Sequence, residues 1–272
     1  MPLNAKLHIE TELRNGRTIL KRSFASQPYK LVNITEDQDE KFLQLMLMNS
    51  SPGILDGDDY NCEIIVGENC SLQLQTQSYQ RLFTMKNAAR QDSNFYLQAG
   101  ASLIYLPHPL VPHKNSSFTC RNNIYLKNNC ELLCGEVMSC GRKENGEVFQ
   151  FTSYHNLTQV YLADKLVVKE NILLRPGEMD MSSIGQLEGF THQASLIYLS
   201  ERSQPDQLLN MIMEKLSLLE NIEFGLSVLP VKGLIVRIMG YKAEQLFNLL
   251  QDIASILKTS QQELPNINIH VA

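Results

Sequence analysis

The chain has 272 residues, of which 43% are hydrophobic and 19% are charged, and its formal net charge at pH 7 is -5. This composition is typical of a globular protein with a substantial core and excludes a largely disordered chain. The negative balance disfavours nucleic acid as a partner, because a phosphate backbone is bound by a basic surface.

The first residues predict a β-hairpin. Apolar and polar residues alternate from Leu3 to Arg14, which is the two-residue period of a strand with one solvent-facing side. Asn15 and Gly16 follow, a pair suited to the positive φ angles of a tight turn. Residues 17–24 supply the returning strand.

The N-terminal residues also predict the cellular compartment. The chain goes directly into this strand without an apolar segment of the signal-peptide type. No stretch reaches the roughly 18 consecutive apolar residues that would span a bilayer, so we expect a soluble, cytoplasmic protein with no membrane partner. Since the cytosol is reducing, the six cysteines are expected to be free thiols.

A weak internal repeat occupies the middle of the chain. Residues 66–72, 97–103 and 126–132 align with offsets of 31 and 29 residues. Each copy ends a strand on an apolar residue, turns on Gly or Asn, and resumes with Cys or Ala, a polar residue and Leu. The period suggests stacked β-coils, in which each coil buries its apolar face against its neighbours. A plain antiparallel meander is the alternative. After the repeat, a turn is predicted at residues 144–147 and a further strand at residues 148–151.

The period changes to that of a helix after residue 200. Apolar residues from Leu208 to Leu219 fall at helical spacing behind Ser203, the expected N-cap, with Pro205 in the first turn. A strand is predicted from Leu234 to Met239, and a second amphipathic helix from Ala243 to Leu257.

The predicted fold is therefore mainly β: a helicoidal, solenoid-like stack of strands with two amphipathic α-helices in the C-terminal part. All-β domains commonly exceed 200 residues, so we expect one domain over residues 1–272. It would consist of a β-rich body, 1–200, and an α+β part, 201–272.

The sequence contains no motif for catalysis. It has no Gly-Lys pair and hence no P-loop, no dinucleotide-binding glycine triplet, no nucleophile-elbow serine and no zincin motif. We therefore predict that the protein is not an enzyme and does not hydrolyse GTP itself.

Candidate metal ligands are few. Cys130, Cys134 and Cys140 have spacings that match no Cys/His zinc framework, so packing in the core is the favoured interpretation. His108 and His113 flank a proline-rich bend, where they are candidate ligands for a borderline ion such as nickel. Ordinary surface-loop histidines are the alternative.

Four stretches carry more polar and turn residues than hairpins require. The first two contain glycines that permit close backbone approach, carboxylates on a loop, and long polar side chains at a strand end. A structural turn and a strand edge are the alternative interpretations. The first stretch consists of Ser51, Pro52, Gly53, Asp56, Gly57 and Asp58, and the second of Thr76, Gln77, Arg81 and Phe83.

The other two stretches are a stiff ridge and a charged turn. Prolines withhold backbone donors in the ridge, and opposite charges on either side of the turn predict an ion pair. A surface pair of little energetic value is the alternative for the turn. The third stretch, 103–113, contains Pro107, Pro109 and Pro112, and the fourth contains Gly141, Arg142, Gly146, Glu147 and Phe149.

These four stretches, in this order, resemble the urease accessory protein family UreD, called UreH in some organisms. The first is similar to the family's Ser-Pro-Gly loop ending in Gly-Asp, and the second to its Thr-Gln segment. The third looks like Leu-x-Tyr-Leu-Pro-x-Pro, and the fourth like Gly-Arg followed by Gly-Glu-x-Phe. Asp56 stands where the family usually has a small residue, and His113 where an aromatic is common.

The resemblance implies a β-rich helicoidal fold with two helices and a chaperone function. Members of the family bind the urease apoprotein and the accessory protein UreF, which recruits the GTPase UreG. The nickel ion is then in transit to the urease active site, and no tightly bound cofactor is implied. The C-terminal helices are candidates to offer apolar faces to UreF, and burial in the protein's own core is the alternative.

A finer hypothesis concerns the route of the metal. Carboxylates and water suit a borderline cation in transit, so Asp58, Glu63, Arg142 and Glu147 are candidates to line or gate a hydrated nickel passage. Two other functions stay open at this point. One is a β-solenoid enzyme acting on carbohydrate, and the other is an interaction scaffold without a link to metal.

Overall fold

The N-terminal hairpin forms where the alternating pattern predicts it. The structure is a computed structural model that describes residues 2–36 and 41–262. Strand β1 covers Asn4–Arg14, β2 covers Arg17–Ala25, and the two pair antiparallel. Asn15 and Gly16 connect them with φ angles of 52° and 78°, as a tight turn between twisted strands requires.

The remaining elements alternate short turns with strands until residue 200. The strands that follow in chain order are β3 Tyr29–Asn33, β4 Leu43–Asn49, β5 Asp59–Val66, β6 Ser71–Thr76, β7 Gln80–Leu82, β8 Ala89–Leu97, β9 Ser102–Leu106, β10 Leu110–Pro112, β11 Ser117–Leu126, β12 Glu131–Ser139, β13 Ser153–Leu162, β14 Lys165–Leu174, β15 His192–Ser200, β16 Ile222–Leu229 and β17 Gly233–Gly240. The helices are α1, Pro205–Ser217, and α2, Ala243–Gln262.

The strands form two sheets. The first has the order β14-β13-β11-β8-β5-β1-β2. The second has the order β16-β17-β15-β12-β9-β6-β4-β3, with β10 paired to β12 and β7 to β10. From β4 to β13 the longer strands alternate between the two sheets along the chain, and each pairs in parallel with its counterpart from the next passage.

The internal repeat coincides with the register of this pairing. Val66 is opposite Leu97 and Leu97 is opposite Leu126 in the first sheet. In the second sheet Leu72 is opposite Leu103, which in turn is opposite Leu132. The offsets of 31 and 29 residues are therefore the lengths of chain that return each strand to its neighbour. These pairs are parallel, so an antiparallel meander is wrong for the repeat.

The mainly β class and the two C-terminal helices are confirmed. The sheets are open, with β2 and β14 at the edges of the first and β3 and β16 at the edges of the second. They do not close into one wall, so the solenoid-like stack stays an interpretation of the parallel pairing.

The core has two main layers. One lies between the sheets and is built from inward residues of the repeat, among them Leu72, Leu103 and Leu132. The other lies between the second sheet and the helices, where α2 packs on β12, β15 and β17. This three-layer arrangement buries one face of each helix. In the described part of the chain, no helix has the length and apolar run needed to cross a bilayer.

Two local expectations are corrected, and one strand was not predicted. Ser203 does not cap α1, because its hydroxyl donates to the carbonyl oxygens of Ser200 and Lys232, and Gln204 precedes the helix. Residues 148–151, expected as a strand after a turn, form no strand. Strand β16 was not predicted, although its apolar residues alternate with Glu223, Gly225 and Ser227, and it pairs with β17 at the edge of the second sheet.

Candidate functional site

The four polar stretches lie next to one another in space. They occupy successive loops at one edge of the stacked strands, residues 51–58, 76–88, 107–116 and 140–151, which we call the loop stack. Ile54 forms a parallel bridge with Leu82, and Leu82 is opposite Pro112. The backbone N–H of Asn115 then donates to the carbonyl oxygen of Gln150 at 2.9 Å. The order in sequence is thus the order of stacking.

Gly53 is required by the contact between the first two loops. A Cβ at this position would overlap the carbonyl oxygen of Arg81 and would lie 2.9 Å from Cε2 of Phe83. The Ser51 hydroxyl donates to the Gly53 carbonyl oxygen at 2.6 Å and holds the turn. Together with Pro52, which fixes φ, these residues shape a close backbone contact.

Asp58 is a buried structural carboxylate. It is 1% exposed, and its two oxygens accept the backbone N–H groups of Leu3 and Leu55, each at 2.9 Å. The Tyr60 hydroxyl donates to the same carboxylate at 3.4 Å. Gly57 precedes it with a φ of +81°, where a side chain would be strained. The carboxylate joins the first loop to the N-terminal strand.

Thr76 connects the second loop to the third. Its hydroxyl oxygen accepts the backbone N–H of His108 at 2.8 Å and lies 3.1 Å from Nδ1 of that imidazole. The His108 ring stacks on Phe247 of α2, with 4.6 Å between centroids. The neighbouring Gln77 is exposed and donates its backbone N–H to the Leu47 carbonyl oxygen.

The prolines of the third loop pair with the second. The carbonyl oxygen of Pro109 accepts the Gln80 N–H at 3.0 Å, and Pro112 is opposite Leu82 in β7. Pro107 lines an interior cavity described below. The predicted ridge is therefore a third layer of the loop stack, half-buried in places.

His113 is buried, in contrast to a surface-loop histidine. It is 4% exposed, its ring lies 4.8 Å from that of Phe83, and its Nε2 has no hydrogen-bond partner among the described residues. Burial and the positive charges of Arg142 and Arg81 lower its pKa, while Glu147 opposes the shift. His113 and His108 belong to different contacts, and no group of three or more potential metal ligands occurs among the described residues.

The fourth loop contains the predicted ion pair. Arg142 donates from Nε to Glu147 Oε2 at 2.9 Å and from Nη2 to Oε1, and the backbone N–H of Lys114 also donates to Glu147. The pair lowers the pKa of Glu147 to about 2. Gly146, with a φ of +79°, ends a short 3-10 helix. Gly141 faces the carbonyl oxygens of Glu147 and Pro112 too closely for a side chain.

Glu63 lies apart from the loop stack. It is on β5 in the middle of the first sheet, where its carboxylate is 2.8 Å from Nδ1 of His8 on β1. Within the described residues, the four passage candidates make separate contacts: Asp58 with backbone, Glu63 with His8, and Arg142 with Glu147. The structure does not bring them together around one channel.

Two adjoining cavities lie between the sheets instead. One, of about 80 Å³, is lined by Ser51, Gly53, Thr76 and Gln77 of the loop stack together with strand residues. The other, of about 70 Å³, extends toward β14 and β15. Each has room for several water molecules. They share Gln80, Gln91, Phe95, Tyr105 and His108, so these side chains form the junction.

The second of these cavities contains two carboxylates that the sequence pattern did not reveal, the buried Glu170 and the half-buried Glu136. Burial and the neighbouring Glu170 raise the pKa of Glu136 to about 7. Asn156 donates to Glu136, and Asn122 donates to Asn156 at 3.2 Å and to Thr158 at 3.1 Å. The sequence signal that could have revealed these carboxylates is a polar residue at an inward position of a strand, because such a residue interrupts an apolar face.

Glu170 connects this cavity to a third. The third cavity, of about 820 Å³, is lined by Glu170, Ser195, Glu223 and Arg237 among others. Glu170 is 4% exposed and accepts from Arg237 Nε at 3.1 Å. Polar side chains thus line adjoining spaces from the loop stack, past the junction, to the edge strands β14 and β16.

The six cysteines are free thiols. Five are buried and Cys120 is half-buried, and burial raises the pKa of every one of them. A protonated thiol is a poor metal ligand, so core packing describes Cys130, Cys134 and Cys140.

The sequence of the chain is similar to those of known proteins over nearly its whole length. The sequence model of one family, described as UreD urease accessory protein, matches residues 3–269. The urease accessory protein UreD of Flavobacterium johnsoniae is 42% identical, over 95% of this chain and 94% of the relative. That of Acetivibrio thermocellus is 32% identical, over 93% and 97%. That of Actinobacillus pleuropneumoniae serotype 5b is 33% identical, over 94% and 98%.

Proposed function

Because the chain belongs to the UreD family of urease accessory proteins, we propose that it is the scaffold on which nickel reaches the urease apoprotein. It acts as an accessory protein in urease maturation and not as an enzyme. In this proposal it binds the urease apoprotein and UreF in the cytoplasm, with the GTPase UreG joining through UreF. Nickel is cargo in transit and not a resident cofactor.

The adjoining polar cavities are the observation that supports a link to metal. A hydrated divalent cation needs oxygen or nitrogen donors at intervals, since an apolar interior would strip its hydration without replacement. Hydroxyl, amide and imidazole groups line the first cavity, and the carboxylates of Glu136 and Glu170 line the second. We propose that nickel follows these cavities.

This route revises the passage inferred from sequence. The Asp58 oxygens are occupied by backbone N–H groups, and Glu147 is occupied by Arg142 and Lys114. A carboxylate in such contacts has lost most of its capacity to accept a cation. We propose that both residues shape the loop stack at the entrance, and that Glu136, which accepts from Asn156, contacts the ion. The oxygens of Glu170 are occupied by Ser195 and Arg237, so this carboxylate lines the route without binding the ion.

The contact with UreF is also revised. The apolar stripes of both helices are buried against the second sheet, with Leu208, Ile212 and Leu216 of α1 in this core. They are therefore not available as a docking face. The outer side of α1 and the turn after it expose Met213, Leu218 and Leu219, and we propose these as the contact.

The experiment is complementation of a urease operon from which the corresponding accessory gene has been deleted. Urease purified after co-expression with this chain is expected to contain nickel and to be active, and its metal content is measured directly. Urease that stays nickel-free, although the chain is expressed and folded, would contradict the proposal.

A second outcome of the same experiment would distinguish a scaffold that takes part in nickel loading from one that only binds proteins. If the chain co-purifies with urease and UreF, and nickel loading proceeds equally well without it, the protein is an interaction scaffold only. The Leu218→Asp and Leu219→Asp variants are expected to lose UreF in the same pull-down and to retain urease. An outward substitution elsewhere, Leu166→Asp on β14, is the matched control.

A further inference from the structure

We infer that His108 is the nitrogen donor that receives a borderline divalent cation where the two interior cavities meet, and that it favours this ion over Mg²⁺. The inference rests on the proposed function, in which a nickel ion crosses the protein. It assigns one side chain to one step of that crossing.

The position of His108 carries the inference. It lines both cavities, and no other described histidine lines either of them. No carboxylate is among the residues that line the first cavity, whereas Glu136 and Glu170 line the second. A cation moving from the loop stack toward β14 therefore meets the imidazole before it meets a negative charge.

The ring is held in place from three sides. Pro107 and Pro109 flank it and restrict the backbone on both sides. Thr76 holds both the backbone N–H and the ring, at 2.8 and 3.1 Å, and Phe247 stacks on the ring face. A ligand that is positioned before the ion arrives loses little side-chain entropy on binding.

The contact with Thr76 suits a metal-binding histidine. When Nδ1 carries the proton, it donates to the Thr76 hydroxyl oxygen, and the lone pair of Nε2 is available to a cation. Ligating histidines regularly have such an outer partner on the other ring nitrogen. Burial also lowers the pKa of His108, which keeps the ring neutral at neutral pH.

The donor type explains the selectivity. Imidazole suits nickel, whereas Mg²⁺ prefers oxygen ligands and gives up its water reluctantly. Amide and phenol oxygens of Gln91 and Tyr105 surround the same junction. The described residues hold no group of three strong ligands, so the ion is handed on and not retained.

Ion binding is tested on the purified chain labelled with ¹⁵N-histidine. The His108 ring signals are assigned as those absent from His108→Gln. Addition of NiCl₂ below one equivalent is expected to broaden them through paramagnetism, while the signals of His192, buried elsewhere, stay sharp. MgCl₂ at the same concentration is expected to leave them unchanged. His108 signals that stay sharp when those of the half-exposed His155 are already broadened would overturn the inference.

Thr76 supplies a second variant that keeps the imidazole. Thr76→Val removes the hydroxyl that orients the ring, and Thr76→Ser keeps it. Loss of such an outer partner weakens metal binding by about tenfold or more, so Thr76→Val should need correspondingly more NiCl₂ and Thr76→Ser should not. Equal titrations for the two variants would count against the assigned tautomer and the site.

Nickel loading of urease distinguishes a failure of the His108 assignment from a failure of the proposed function. At limiting nickel, His108→Gln is expected to load urease severalfold less than the unsubstituted chain, with UreF and urease still bound and the deficit reduced by excess nickel. If the unsubstituted chain fails to load urease, the proposed function fails. If it succeeds and His108→Gln matches it at limiting nickel, only the assignment of His108 fails.

Discussion

Ser195 and Glu170 join the two sheets through one buried hydrogen bond. The Ser195 hydroxyl, on β15 of the second sheet, donates to Glu170 Oε2, on β14 of the first, at 2.6 Å. The two residues are 6% and 4% exposed. The bond lies where the second cavity adjoins the third, since both residues line both spaces.

Removing the Ser195 hydroxyl should destabilise the protein. Ser195→Ala leaves a buried carboxylate oxygen without its donor, which costs about 1.5 to 3 kcal/mol of unfolding free energy for a bond to a charged group. The measurement is urea denaturation. Ser217→Ala, at the exposed end of α1, is the control and should change stability by less than about 0.5 kcal/mol. Equal effects of the two substitutions would show that the bond does not form.

The pH dependence of stability should depend on Glu136. Its folded pKa of about 7 lies above the reference value of 4.5, so the folded state keeps a proton that the unfolded state has lost between these values. The free energy of unfolding therefore falls as pH rises through this window, by up to about 3 kcal/mol. Glu136→Gln should remove this slope and should be more stable than the unsubstituted chain at pH 8.

Urea denaturation from pH 5 to pH 8 measures the difference between the two proteins. Glu144→Gln, on the exposed fourth loop, is the control and should follow the unsubstituted chain. A Glu136→Gln variant that keeps the full slope would place the responsible proton on another group.

Gly53→Ala should disrupt the contact between the first two loops. The added methyl group meets the backbone of Arg81, which cannot rotate away as a side chain could. Overpacking of this kind costs about 1 to 3 kcal/mol or more. Gly177→Ala is the matched control, because its Cβ would meet nothing within 4 Å. The measurement is thermal unfolding of both variants. Equal midpoints would mean that the two loops move apart without loss of stability.

Asp58 and Asp56 should differ although both are on the first loop. Asp58→Ala leaves the N–H groups of Leu3 and Leu55 without acceptors, at a cost of about 1 to 3 kcal/mol each. Asp56 accepts from Asn87 in a solvent-accessible contact, so Asp56→Ala should cost much less. We therefore expect Asp58→Ala to lose assembly and nickel loading together. A folded Asp58→Ala protein that assembles but does not load nickel would restore Asp58 to the passage.

Glu147 should stabilise the fourth loop in a pH-dependent way. Its folded pKa, lowered to about 2 mainly by Arg142, lies below the reference value of 4.5. The stabilisation is complete above the higher value and is lost as pH falls toward the lower one. Glu147→Gln should therefore differ from the unsubstituted chain at pH 6 and approach it as pH falls to 3. Proteolysis of the loop reports the difference, and a pH-independent difference would contradict the ion pair.

Local pattern was sufficient for much of the fold. The alternation from Leu3 to Arg14 predicted β1, and Asn15 with Gly16 predicted the turn, because both depend on neighbouring residues only. The repeat, with offsets of 31 and 29 residues, coincides with the register of the parallel strand pairs. The helical stripes after residue 200 predicted α1 and α2, and the four polar stretches indicated the family.

The tertiary structure decided what the polar residues do. Glu170 meets Ser195 and Arg237, 25 and 67 positions away, so no local period reveals that its carboxylate is buried. The same holds for Asp58, whose partner Leu3 is 55 positions distant. Sequence records which side chains point inward along a strand. Which of them face each other across the interior is fixed only when the two sheets pack, and that packing separates the structural carboxylates from those that line a cavity.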